Sequence, residues 1–210
     1  QYQSLMKKTP SGFNKCGGSC PVENVGWHDA LLFANKLSTK EKKETCYLCS
    51  KGKCQLKSEF QGNGGRDYTK CKGWRLPTEA EWEYAYRGGT TTAFYNGGIT
   101  KPTGKDPKLD KIAWFDKNAN SKTHPVAQKK ANNWGLYDMA GNVYEWVFDG
   151  WKRNYTKASV VDPVHLVGSY RVGRGGSWSD FARYCRAAYR DYGYGAAYRG
   201  SYLGFRLSRF

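Results

Sequence analysis

The first regular pattern lies in residues 26–38, GWHDALLFANKLS, where Trp27, Ala30, Leu31, Ala34 and Leu37 recur at helical spacing and predict a helix with one face on a core. A second lies in LPTEAEWEYAYRGG. There Thr78 and Glu81 form a capping box, Trp82, Ala85 and Tyr86 make the buried stripe, and Gly88 closes the helix in a left-handed conformation. Between the two, residues 39–72 read as a long loop pinned by cysteines. From residue 90 onward Gly, Asn, Asp and Trp dominate and apolar positions alternate in short runs, which predicts strands and loops. No linker or internal repeat interrupts the sequence, so the expectation is a single α+β domain over 1–210 with much irregular backbone.

Composition narrows the class. A hydrophobic fraction of 39% with 16% aromatics rules out a disordered or coiled-coil chain. The formal charge of +16 invites a polyanionic partner. Yet every lysine lies at or before Lys157, spread through polar stretches as on a solvated surface, and no zinc-finger, homeodomain or RNP-like motif is present. The expectation is therefore no specific nucleic-acid partner. No apolar run of about 18 residues occurs, and QYQSLMKKTP has no apolar signal core, so an exported chain would have lost its signal.

Six of the seven cysteines, Cys16, Cys20, Cys46, Cys49, Cys54 and Cys71, fall in polar, Gly- and Lys-rich stretches. Two readings stay open. The run from Cys46 to Cys71 could hold zinc, although structural zinc sites usually show two tight pairs. Disulfides fit the surroundings better, with Cys16 and Cys20 as a local pair, Cys185 as a buried odd thiol, and an oxidising compartment implied.

The segments GWRLPTEAEWEYAYRGG (73–89), HPVAQKKANNWGLYDMAGNVYEWVFDG (124–150), RVGRGGSW (171–178) and LGFRL (203–207), in that order, resemble the formylglycine-generating-enzyme/sulfatase-modifying-factor family. The resemblance covers residues 21–207. It implies a variant of the C-type lectin fold, with two helices, small mixed sheets and a functional face made by the C-terminal strands and loops. Enzymes of that family bind copper through two cysteines five positions apart just after the GGS motif, thiolates being what a soft ion requires. In this chain that stretch runs Ser177, Trp178, Ser179, Asp180, Phe181, Ala182, Arg183, Tyr184, Cys185, with one thiol where two are needed. The related sulfoxide synthases need a His and carboxylate cluster for iron, whereas His28, His124 and His165 stand apart. The expectation is a member that is not an enzyme and requires no cofactor, the alternative being an oxidoreductase of the sulfatase-modifying type or a degenerate relative. His124 then reads as a hydrogen-bonded structural residue. Family members can also bind calcium near a G-N-x-x-E motif, which carries over onto Gly141, Asn142, Val143 and Glu145. The competing reading is that Asn142 and Glu145 only tie loops together.

From Ser179 to Tyr202 the chain holds six tyrosines in 24 residues, with Gly, Ser, Asp and Ala around them and no Lys, Glu, Gln, Met, Pro or Asn. Tyr gives a large amphipathic contact with only two torsions to freeze, and Ser, Gly and Asp adapt their hydrogen bonds, as in antibody loops. The arrangement RVxRGGSW, ARxCRAAxR and LGFR also resembles the variable region of proteins diversified by retroelements that replace template adenines. Asparagine codons altered only at adenines yield Tyr, Ser, Asp, Gly, Ala and Phe but never Lys, Glu, Gln, Met or Trp. The open slots obey that restriction at Tyr170, Gly173, Ser179, Asp180, Phe181, Tyr184, Tyr189, Asp191, Tyr192, Gly193, Tyr194, Tyr198, Gly200, Ser201 and Tyr202. Arg174, Gly175, Gly176, Ser177, Trp178, Cys185, Arg186, Arg190, Arg199, Leu203, Gly204, Phe205 and Arg206 keep the frame between them.

This second resemblance implies a hypervariable binding protein, displayed on a bacterial surface as an outer-membrane lipoprotein whose N-terminal lipid anchor is its only membrane attachment. Its variable region spans about 170–202, and its ligand is of unstated identity, a protein before a sugar. The expectation that follows is that every slot is exposed. Tyr192→Ala and Tyr194→Ala would then both leave thermal stability nearly unchanged. Trp178, Phe205 and Leu207 should pack inward, and Arg174, Arg186, Arg190 and Arg206 should bond loop carbonyls or carboxylates.

Overall fold

The computed structural model describes residues 1–155 and 159–209. Its helices are α1 (Tyr2–Met6), α2 (Trp27–Lys40) and α3 (Glu79–Arg87). The strands are β1 (Tyr47–Ser50), β2 (Lys53–Leu56), β3 (Tyr144–Gly150), β4 (Tyr170–Arg174), β5 (Asp191–Gly195) and β6 (Leu203–Phe205). Helix α2 buries Trp27, Ala30, Leu31 and Ala34 as its spacing dictates, and Asp29 turns back to accept the Gly26 N–H at 2.9 Å. In α3 the capping box closes, with Glu81 N–H donating to Thr78 Oγ1 at 3.1 Å and Thr78 N–H donating to Glu81 Oε2 at 2.8 Å. Gly88 takes a φ of 51° and ends it.

Residues 39–72 are not the continuous loop that their composition suggests. They contain the antiparallel hairpin β1–β2, joined by Lys51 and Gly52, which both have positive φ as a two-residue hairpin turn demands. Disulfides Cys49–Cys54 across the hairpin, Cys46–Cys71 at its base and Cys16–Cys20 occupy all six candidate sulfurs, so the zinc reading gives way. Cys185 is free and buried.

The main sheet runs β5-β4-β3-β6, with β3 antiparallel to β4 and parallel to β6. All seven residues of the central strand are buried, because each face of β3 meets its own core. Tyr144, Trp146 and Phe148 face α2 and the hairpin; Phe148 stacks on Tyr68 at 3.9 Å and on Trp27 at 5.5 Å. Val147 packs with Trp82, Tyr86, Phe115 and Val172 in the second core. On that second side Glu145 receives the Arg206 guanidinium at 2.5 and 2.6 Å and the Trp82 indole at 2.6 Å. Asp149 accepts N–H bonds from Glu79 at 2.8 Å and His165 at 2.7 Å, and burial pushes its carboxyl up to about 7.

Arg174, fully buried at the end of β4, joins the sheet to α3. It donates to Glu83 at 2.5 Å and to the carbonyls of Ala187 and Tyr189 at 2.7 Å, and it lies 3.4 Å from Glu79. Glu79 in turn clamps Arg190 at 2.6 and 2.8 Å. Removing one partner of such a network leaves an uncompensated buried charge. Arg174→Met should therefore cost about 3–5 kcal/mol in chemical denaturation, and a loss within the about 0.5 kcal/mol typical of surface substitutions would contradict this placement.

Candidate ligand-binding face

The rest of the fold holds the main chain of several C-terminal slots. Asp116 N–H donates to Asp180 O at 3.0 Å, Tyr144 N–H to Tyr202 O at 2.8 Å, Asn24 N–H to Gly200 O at 3.0 Å and Trp151 N–H to Tyr170 O at 2.9 Å. The Trp178 indole donates to Ser201 O at 3.0 Å, and Arg174 holds Tyr189 O. Trp27 N–H fixes the intervening loop through Ala196 O at 2.9 Å. Each grip is on a carbonyl, which every residue type carries.

Two glycines of the frame permit the close backbone paths this requires. A Cβ on Gly176 (φ 74°) would lie 2.5 Å from Cys185 Sγ, and one on Gly204 would lie 2.4 Å from Val22 O. Phe205 packs edge-on to Phe33 at 5.3 Å, Leu207 joins the same cluster, and Trp178 packs on Phe13 at 5.3 Å. Arg186 bonds the Arg183 carbonyl at 2.8 Å, and Arg190 bonds Lys152 O at 2.6 Å besides Glu79.

None of the six tyrosines between residues 179 and 202 is buried, but the slots are less uniformly exposed than expected. Tyr170, Ser179, Tyr192 and Tyr198 are exposed, Tyr192 to 64%. Asp180, Phe181, Tyr184, Tyr189, Asp191, Tyr194, Ser201 and Tyr202 are half-buried. Gly193 lies in β5, and its accessibility falls outside the described residues. Gly173 and Gly200 are buried, contrary to expectation. The reason is that neighbouring side chains cover them: a Cβ at Gly173 would meet Tyr144, Tyr194 and Asp191 at 3.7–3.8 Å, and one at Gly200 would meet Tyr198 and Tyr202 at 3.2 Å. These glycines form the floor of the face.

Tyr194 also departs from the expectation. Its ring stands edge-on to Trp146 at 5.9 Å and stacks on Tyr198 at 4.8 Å, while its hydroxyl donates to Asp191 at 2.6 Å. Tyr198 and Tyr202 share a hydroxyl contact. Tyr192 instead tilts over Trp151 at 5.0 Å.

Two carboxylates sit in this aromatic field, and neither meets a cation in an ion pair among the described residues. Asp180 accepts from Ser177 and, at 3.3 Å, from the Tyr144 hydroxyl; burial raises its carboxyl above the ordinary value and Asp191 adds to the shift. Burial raises Asp191 likewise. Arg183 covers Tyr184 at 4.7 Å, and Lys117 lies 5.1 Å from the Phe181 ring.

The carried-over metal residues are committed elsewhere. Asn142 exchanges hydrogen bonds with the His124 backbone at 3.0 and 3.1 Å, and both oxygens of Glu145 are occupied by Arg206 and Trp82. Gly141 and Val143 flank them, Asp138 interacts with both Asn142 and Glu145, and the Asn142 and Glu145 side chains tie loops together in this arrangement. His124 stacks on Trp114 at 3.8 Å and pairs with Ala119 O at 2.7 Å, as a structural residue would. Asp180 stands five positions before Cys185, whose thiol is buried and pushed well above its ordinary range, chiefly by desolvation.

Sequence reading missed two supports of the face. One is the N-terminal segment: Tyr2 stacks on Phe33 at 5.4 Å, Val25 O accepts the Trp146 indole at 2.9 Å, and Phe13 and Asn24 touch the slots' frame. The helical spacing of Tyr2, Leu5 and Met6 was a usable signal. The other is the loop at Asp116–Lys117, for which no local pattern exists.

Residues 4–209 match the family described as the sulfatase-modifying factor enzyme 1-like domain. Among solved structures, Treponema denticola variable protein 1 superposes with a TM-score of 0.82 at 39% identity, over 98% of this chain and 79% of that one. The chaperone protein LppX of Paenibacillus barcinonensis is 33% identical over 85% of this chain and 65% of its own length. The formylglycine-generating enzyme of Streptomyces coelicolor is 35% identical over 70% of this chain and 50% of its own length. This chain thus spans no more than 65% of either curated relative.

Two outcomes test the face. Tyr192→Ala should change unfolding free energy by less than about 0.5 kcal/mol, whereas Tyr194→Ala should cost about 1–2 kcal/mol through lost ring burial and its edge contact. Equal effects in urea titrations would refute the distinction. For Asp180 the folded carboxyl value is raised, so its stabilising neutral form is fully present below the ordinary 3.8 and is lost as pH rises through the raised value. Asp180→Asn removes that loss, and its melting temperature relative to the parent should rise from about pH 4 through the raised value and then level off.

Proposed function

Because the chain belongs to the sulfatase-modifying factor enzyme 1-like family and shares its formylglycine-generating-enzyme variant of the C-type lectin fold with a treponemal variable protein, we propose that it is a ligand-binding protein whose Tyr-rich face is rewritten while its backbone stays fixed. The observation that carries this reading is the division of labour at the slots. Residues outside the slots hold the main chain through carbonyl oxygens, and the slot side chains project from it among one another. Side-chain exchange then leaves the supporting hydrogen bonds in place.

The ligand of this reading is a protein surface. Exposed Tyr170, Tyr192 and Tyr198 supply broad amphipathic contacts, and Ser179, Ser201, Asp180 and Asp191 supply adaptable hydrogen bonds. Rewriting by a retroelement and display at a bacterial surface through a lipidated N-terminus belong to the same proposal, and three disulfides suit a chain that matures in an oxidising compartment. The oxidase alternative rests on kinship with formylglycine-generating enzymes, whose thiol pair is reduced here to the buried Cys185.

A library that randomises Tyr170, Ser179, Phe181, Tyr184, Tyr192, Tyr198 and Ser201 together is the direct test. Most members should fold with melting temperatures within several degrees of the parent, and panning against immobilised proteins should recover binders. A library in which most members fail to fold, or copper-dependent oxidation of a cysteine peptide by the parent chain, would overturn the proposal.

A further inference from the structure

Helix α2 has two unlike ends. Its first turn is tied to the binding face: Trp27 N–H donates to Ala196 O, and Gly26 lies against the carbonyl oxygens of Ala196 and Tyr198. Its last part carries Lys36 and Lys40, one turn apart on the same side, and Lys42 and Lys43 follow directly. At 1.5 Å per residue its 14 residues place the two ends roughly 20 Å apart.

Lys36, Lys40 and Lys42 are exposed, Lys43 is half-buried, and none of the four ammonium groups forms an ion pair among the described residues. The neighbouring carboxylates are engaged elsewhere. Glu41 accepts the Trp74 indole N–H at 2.8 Å, and Glu44 accepts the Lys72 backbone N–H at 2.5 Å. One cation in the last turn satisfies a helix C-terminus, and like charges at i,i+4 are destabilising, so four free lysines exceed what α2 needs. Between α1 and this end of α2 runs a groove lined by Leu5, Leu32, Asn35, Lys36, Thr39 and Lys40 among others, with no carboxylate on its walls.

We propose that this lysine-bearing pole docks the protein on an anionic lipid bilayer, leaving the Tyr-rich face directed away from the membrane. The chemistry is that of a diffuse anionic layer. Lys presents a hydrated point charge on a flexible stem, whereas recognition of a single phosphate group favours the planar fork of Arg. Arg174, Arg190 and Arg206 are instead engaged with carboxylates of the fold. Leu5 and Leu32 beside the ammonium groups fit the boundary between headgroups and acyl chains.

Co-sedimentation of the intact chain with phosphatidylcholine vesicles, with and without phosphatidylglycerol, tests this. The parent should bind only the anionic vesicles and lose binding as salt is raised. The combined variant Lys36→Gln, Lys40→Gln, Lys42→Gln, Lys43→Gln should bind more than about 100-fold more weakly. Removing as much charge elsewhere, with Lys101→Gln, Lys111→Gln, Lys122→Gln and Lys130→Gln, should weaken it only several-fold. Tyr192→Ala should leave vesicle binding unchanged, which separates this inference from the ligand reading. It is overturned if the anionic vesicles do not bind the parent, if both quadruple variants lose binding equally, or if the parent binds a soluble sulfated polysaccharide and no vesicle.

Discussion

On the reading proposed above, a face whose side chains are exchanged must be held by atoms that all residues share. In this fold those atoms are carbonyl oxygens, and the donors that hold them belong to β3, the Trp151 and Asp116 loops, the N-terminal segment and the indole of Trp178. The strongest of these anchors is the guanidinium of Arg174, which binds two carbonyls and a carboxylate at once. Charge-assisted bonds in a dry interior persist whatever side chain stands above them. Trp146 and Tyr144 then lie beneath the slot rings of Tyr194 and Tyr202.

The cost of this arrangement is concentrated in buried charge. Glu79, Glu83, Glu145, Arg174, Arg190 and Arg206 form two networks on one side of β3, and each carboxylate is satisfied by at least one guanidinium. Buried pairs of this kind add little net stability but are expensive to break, so they specify one arrangement of the C-terminal loops. The three disulfides lie away from this region, pinning the hairpin and the N-terminal turn where regular structure is short.

Exposure is graded across the face, and the grading has a physical origin. Plain alternation would put Tyr192 and Tyr194 of the edge strand β5 on one face, but the pairing with β4 shifts by one residue between Tyr194 and Asp191, so Tyr194 rests on Trp146 while Tyr192 lies over Trp151 at the surface. Gly200 is covered by the slots Tyr198 and Tyr202, and Gly173 by the slots Tyr194 and Asp191 together with Tyr144 of β3. A larger residue at Gly200 would press on Tyr198 and Tyr202, and one at Gly173 on Tyr194, Asp191 and Tyr144, which couples the slots to one another.

The sequence by itself determined both longer helices, the capping box of Thr78 and Glu81 and the odd thiol at Cys185. Each of these is a local periodicity, a cap or a compositional restriction, and such signals are written in neighbouring residues. The hairpin at Cys49–Cys54, the support from Asn24 and Asp116, the half-burial of Tyr194 and the occupation of Glu145 by Arg206 were decided only in three dimensions. They depend on contacts between segments far apart in the chain, where which group satisfies a carboxylate or covers a ring is fixed by packing and not by sequence spacing.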